Sequence, residues 1–76
     1  MYVKVKYFHE DISAYAGDEY TYKTKLPLLK GQKVFAPVAD DPELKKAIVT
    51  QINVPEIGII NQPWTDRIKE IKELIK

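Results

Sequence analysis

Apolar and polar side chains alternate from the start of the chain. In residues 2–8, Val3, Val5 and Tyr7 fall on one side, and Tyr2, Lys4, Lys6 and Phe8 on the other. A period of two over seven residues rich in β-branched and aromatic groups predicts a strand with one buried face. The alternation stops at His9 and returns at Glu19, where Tyr20, Tyr22 and Thr24 share a face and predict a second strand to residue 24. Between them, residues 9–18 read as a loop turned by Gly17-Asp18, with Ile12 and Tyr15 folding back to pin it. Leu26, Leu28 and Leu29 are too apolar for a solvated connection and are expected to plug an open end of the core. Pro27 ends the strand and Gly31 turns the chain.

A third strand is expected over residues 33–38, with Val34, Ala36 and Val38 facing inward and Pro37 marking an edge or a bulge. Asp41, Pro42 and Glu43 have the order of a cap, a first helical residue and a first-turn acid, so residues 40–46 read as a one-turn helix. A fourth strand follows over 47–54, apolar on both faces and therefore central, stopped by Pro55. Residues 57–60 read as a short fifth strand or an apolar strap. From Pro63 the period changes. Trp64, Ile68, Ile71 and Ile75 lie at i, i+4, i+7 and i+11, with Lys69, Glu70, Lys72, Glu73 and Lys76 opposite, which predicts an amphipathic helix. Asn61 or Thr65 can cap it. A helix of about a dozen residues is marginal alone in water, so its stripe must dock on the sheet or on a partner.

The expected fold is therefore mainly β with one C-terminal α-helix: a single domain over 1–76, a small antiparallel barrel of four to five strands over 1–60 and the helix over 61–76. The chain's 76 residues allow only a thin core, since a domain of this size buries a little over ~60% of its unfolded surface. It has no cysteine, which fits a reducing compartment and excludes disulfide staples and thiolate metal sites. No apolar run approaches the ~18 residues of a membrane span, and the opening residues do not read as a signal peptide. The cytoplasm is the expected location.

Charge narrows the function. Twelve basic against eleven acidic side chains leave +1, too little for a protein that works by broad phosphate neutralisation. Residues 1–38 hold six lysines and four acids, a balance of +2. Lysines interleaved with aromatics on a sheet face suit a single-stranded nucleic acid, but they also decorate ordinary exposed strands and block edge pairing. The one arginine, Arg67, lies far from that cluster. His9, Glu10 and Asp11, with Asp18 and Glu19 beyond, are where a metal or an acid–base pair would assemble. The simpler reading is a solvated acidic loop. The only serine, Ser13, stands four residues from the only histidine, and the three glycines are scattered, so neither a nucleophile–base pair nor a phosphate loop is visible.

Tyr20-Thr-Tyr22, the Leu29-Lys-Gly-Gln-Lys-Val34 turn, Phe35-Ala-Pro-Val38 and Lys46-Ala-Ile-Val-Thr50 together resemble the SH3-like N-terminal region of the primosomal protein N′ family of replication-restart helicases. They also resemble short stand-alone barrels of phages and prophages of Gram-positive bacteria. The resemblance spans roughly residues 2–53, about two-thirds of the chain. It implies an SH3-like barrel. In the helicases an acidic residue of the tyrosine strand contacts a DNA 3′ end; the matching position here is Thr21, so that contact does not carry over. The tryptophan pair and Ala-Leu-Tyr-Asp-Tyr signature of proline-peptide-binding SH3 domains are missing. Trp64 reads as a core staple or an interface anchor.

These readings lead to a non-enzymatic interaction module without cofactor or metal, an adaptor or inhibitor that binds a bacterial or phage protein complex in defence or replication. The alternative is a module for single-stranded or 3′-end DNA. The candidate binding surface is Tyr2, Lys4, Lys6, His9, Glu10, Asp11, Tyr15, Asp18, Lys23 and Lys25.

Overall fold

The computed structural model describes residues 1–38, 41–55 and 68–75, with the side chains of Asp41 and Pro42 left aside. The described chain is mainly β, folded as one nearly closed, barrel-shaped sheet. Its elements are β1 (Tyr2–His9), β2 (Ala14–Tyr15), β3 (Tyr20–Thr24), β4 (Lys33–Val38), β5 (Asp41–Gln51), β6 (Glu70–Ile71) and β7 (Glu73–Leu74). The sheet order is β6-β3-β1-β5-β4-β7, with β2 paired beside β1. Every pairing is antiparallel except β3 with β6.

Alternation built the long strands as expected. Val3 and Val5 of β1, Tyr22 of β3, Val34 and Ala36 of β4, and Ala47 and Val49 of β5 are buried in one core with Leu28 and Ile71. Tyr7, Leu26 and Ile52 pack against it. β5 is central, flanked by β1 and β4. The β4–β5 register shifts between Ala36 and Val38, so Pro37 sits at an irregularity, where a residue without an N–H is tolerated. Gly31 has φ +93 and Gly17 φ +91, the left-handed backbone that their turns require.

Several expectations fail. Residues 41–46 are not a helical turn but the first half of β5, paired to β4 at Phe35↔Lys46, Ala36↔Lys45 and, past a register shift, Val38↔Asp41. Joined to the regular β4–β5 ladder that follows it, this extended segment pairs more backbone groups than one capped turn can, and the capping order of Asp41-Pro42-Glu43 loses to it. β5 ends at Gln51, before Pro55. The chain bends at Ile52-Asn53, where Asn53 takes φ 50.

The larger correction concerns the C-terminal segment. Among the described residues there is no helix, and 68–75 are extended. β6 lies parallel to β3 (Lys23↔Glu70, Thr24↔Ile71), and β7 lies antiparallel to β4 (Val34↔Leu74, Phe35↔Glu73). Residues 70–74 thus fill the gap between the two ends of the sheet. There they satisfy edge groups that a helix packed across the barrel would leave unpaired. Ile71 is 0% exposed at the seam. The expected strand over 57–60 and the cap and Trp64 of the expected helix lie outside the described residues.

Two apolar side chains also sit elsewhere than expected. Leu28 plugs the core and Leu26 helps, but Leu29 is 62% exposed. The Leu29 N–H is held by the Gln32 side chain, at 2.8 Å. Ile12 does not fold back and is 58% exposed. The hairpin turn that carries it closes through backbone bonds instead, Ile12 N–H to His9 O and Ser13 N–H to Glu10 O.

Candidate functional interface

Because Val3, Val5, Val34, Ala36, Ala47 and Val49 point inward, their neighbours in sequence point outward. The outer face of β1 carries Tyr2, Lys4, Lys6 and Phe8. That of β5 carries Lys46, Ile48 and Thr50, and that of β4 carries Lys33 and Phe35. Register joins them into rows. Ile48 lies between Lys6 on one side and Lys33 on the other. Lys46 is opposite Phe35. Phe8 is opposite Tyr15 of β2, their rings meeting edge-on at 5.1 Å. The Lys33 ammonium stands 5.8 Å from the centre of the Tyr15 ring, within reach of a cation–π attraction. The result is a face on which the half-buried side chains of Phe8, Tyr15, Ile48 and Phe35 alternate with Lys6, Lys33 and Lys46, with Lys4 further along β1.

One acid is built into this face. The Glu19 carboxylate accepts from the Thr50 hydroxyl at 2.6 Å and from the Gln51 amide at 3.2 Å. The Thr50 bond, and then the nearby charges of Lys4 and Lys6 among weaker causes, hold its pKa below the usual carboxylate value. At neutral pH Glu19 therefore stays ionised and offsets part of the lysine field at the β1 end.

The predicted site residues separate into groups. Tyr2, Lys4 and Lys6 share the outer face, and Lys23 joins them across the β1–β3 rung with Tyr2. Tyr15 joins through Phe8. Lys25 stands past the end of β3, on a shallow hollow it shares with Met1, Tyr2 and Glu70. Asp18 is exposed on the loop before β3. Glu10 and Asp11 are exposed in the hairpin turn, whereas His9 is half-buried with Nε2 2.9 Å from the Ala16 carbonyl oxygen. That contact ties the hairpin to the chain leaving β2, and it engages one ring nitrogen. No group of three or more His, Cys, Asp or Glu that could hold a metal occurs among the described residues.

Lys46 and Phe35 were missed as surface residues. Their signal was present in the alternation about Ala47 and Val34, but reading 41–46 as a helical turn hid the first.

A second feature lies at the barrel mouth. Tyr7 and Tyr20 stack at 4.7 Å, the Tyr7 hydroxyl meets the Tyr22 hydroxyl, and Tyr22 donates to the Pro37 carbonyl at 2.7 Å. The Lys45 ammonium lies 5.4 Å from the Tyr7 ring centre. Burial pushes both the Tyr7 and the Tyr22 phenols above the ordinary tyrosine value, Tyr22 far above it. These rings close that end of the barrel as a hydrogen-bonded cluster with Tyr20 as its exposed outer layer.

No family model, curated protein or solved structure matches the chain.

Proposed function

We propose that the chain is a small, non-enzymatic interaction module whose working surface is the outer face of β1, β5 and β4. The observation that carries this reading is the face on which half-buried Phe8, Tyr15, Ile48 and Phe35 alternate with lysines. Aromatic and branched side chains beside long cationic ones supply both the anchors and the charge of a protein-binding patch. Its lysines suit an acidic partner surface, and steering by them would raise the association rate. The resemblance of residues 2–53 to SH3-like barrels of replication-restart helicases and of phage proteins favours a partner in a bacterial replication or defence complex, with the chain as adaptor or inhibitor.

A second reading, single-stranded nucleic acid, is favoured by one observation: Lys33 over the Tyr15 ring, with Phe8 and Phe35 nearby, alternates charge and stacking surface. Against it stand the near-neutral net charge and Glu19 placed among the lysines.

The test is affinity capture from bacterial lysate with the wild type and with Lys6→Glu/Lys46→Glu. A partner held by the wild type and lost by the variant, with equal melting temperatures, is expected. Identical capture by both would sink the reading. An oligonucleotide titration at two salt concentrations decides the second reading. Binding there should weaken with a log–log slope of about −0.7 per phosphate contact, and no binding at low salt removes it.

A further inference from the structure

Residues 68–75 carry two conflicting instructions. Ile68, Ile71 and Ile75 repeat with helical spacing, and Lys69 and Glu73 form an i, i+4 pair of opposite charge. Yet the segment is held extended between β3 and β4. The pairing is short. There are two rungs on each edge, the Lys23 N–H to Lys69 O, the Ile75 N–H to Lys33 O, the Thr24 hydroxyl to Ile71 O, and one fully buried side chain, Ile71. Lys69, Lys72, Glu73 and Leu74 are exposed. A local preference that contradicts the fold, in a segment whose pairing is short, marks an element that other interactions can replace.

We propose that residues 70–74 are an exchangeable strap, and that the slot they fill between β3 and β4 accepts an extended strand from a partner protein. Strand addition to an exposed edge supplies main-chain hydrogen bonds, and pockets for alternate side chains supply selectivity. The slot states the chemistry of its occupant. It needs a branched apolar side chain where Ile71 is buried, an acidic residue where Glu70 faces Lys23, and a second acid where Glu73 faces Phe35 beside Lys33. The occupant is thus an acidic–apolar extended peptide running parallel to β3. The proposal deepens the interaction-module reading but uses a different surface from the outer face.

The chain has no cysteine, so Lys23→Cys/Glu70→Cys places a lockable pair across one rung. The probe is a fluorescein-labelled peptide of residues 68–75, added to the full chain and read by anisotropy. The wild type should bind it, and the reduced variant should bind it more weakly, because it lacks the Lys23 charge that faces Glu70. The oxidised variant should not, and reduction should restore binding. A peptide with Ile71→Ala should bind about tenfold or more weakly, the loss that burial of an isoleucine implies. Substituting the peptide rather than the protein keeps the fold intact. Equal binding by locked and reduced protein, or no binding by either, overturns the proposal. A dimer that forms in the reduced state and vanishes on locking also overturns it, because a second copy would then be the occupant. Lys6→Glu/Lys46→Glu should leave peptide binding unchanged, so failure here does not touch the outer-face reading.

Discussion

Thr24→Val is the smallest change that tests how the barrel closes. Thr24 is buried, its hydroxyl donates to the Ile71 carbonyl at 2.9 Å, and it accepts the Leu26 N–H at 3.0 Å. Valine keeps the shape and removes both bonds. The Ile71 carbonyl loses a partner at a buried seam, which costs about 1–3 kcal/mol, while the Leu26 N–H, on a partly buried residue, regains water at a loss of about 0.5–1 kcal/mol. Replacing a hydroxyl with a methyl returns about 0.8 kcal/mol of burial. The net is a destabilisation of about 2 kcal/mol, or roughly 8–16 °C in melting temperature for a domain of this size. Urea titration and thermal unfolding followed by circular dichroism measure it. The sign is decisive: if residues 70–74 did not lie against β3, valine would be neutral or stabilising in a buried strand. A cycle with Ile71→Ala sharpens the test, because loosening the strap should reduce the cost of Thr24→Val by at least about 0.5 kcal/mol. Valine as stable as wild type, or strict additivity in the cycle, would refute the reasoning.

Three further outcomes follow from the same geometry. Ile71→Ala alone should cost about 2–5 kcal/mol by denaturant midpoint, far more than Leu29→Ala, whose side chain is exposed and should change stability by less than about 0.5 kcal/mol. In a titration of tyrosinate absorbance, Tyr7 and Tyr22, two of the five tyrosines, should resist ionisation, and Tyr22→Phe should remove one of that pair. A phenol whose pKa is raised by folding contributes stability that is complete below about pH 10 and is lost as pH climbs toward the folded value. The denaturant midpoint should therefore fall above pH 10, and less steeply in Tyr22→Phe; equal slopes in the two proteins would contradict the buried cluster.

The strands whose partners lie close in sequence were legible because a one-sided sheet leaves a period of two. β1, β3, β4 and the second half of β5 carry that mark, and so do the lysines on their outer faces. What was illegible was nonlocal. Nothing in Asp41-Pro42-Glu43 announces that β4 offers a ladder long enough to outweigh a capped turn. Nothing in residues 68–75 announces two open sheet edges, set by β3 and β4 about fifty and forty residues earlier, with room between them for one isoleucine. Their 3.6 period is real, and the tertiary demand for edge pairing overrides it. The candidate surface was half legible for the same reason. Lys4, Lys6 and Tyr15 could be read from β1 and its loop, while Lys46 and Phe35 join them only once β5 is extended back to residue 41.

The exchangeable strap depends on the closure of the sheet by residues 70–74, since the slot is the closure itself. Nuclear magnetic resonance of the full chain tests it most directly. Residues 68–75 should show extended-chain secondary shifts, with cross-strand contacts from Lys23 to Glu70 and from Val34 to Leu74, and a protected Ile75 amide donating to Lys33. Helical shifts over 68–75, with i, i+3 contacts and no contact to β3 or β4, would contradict it.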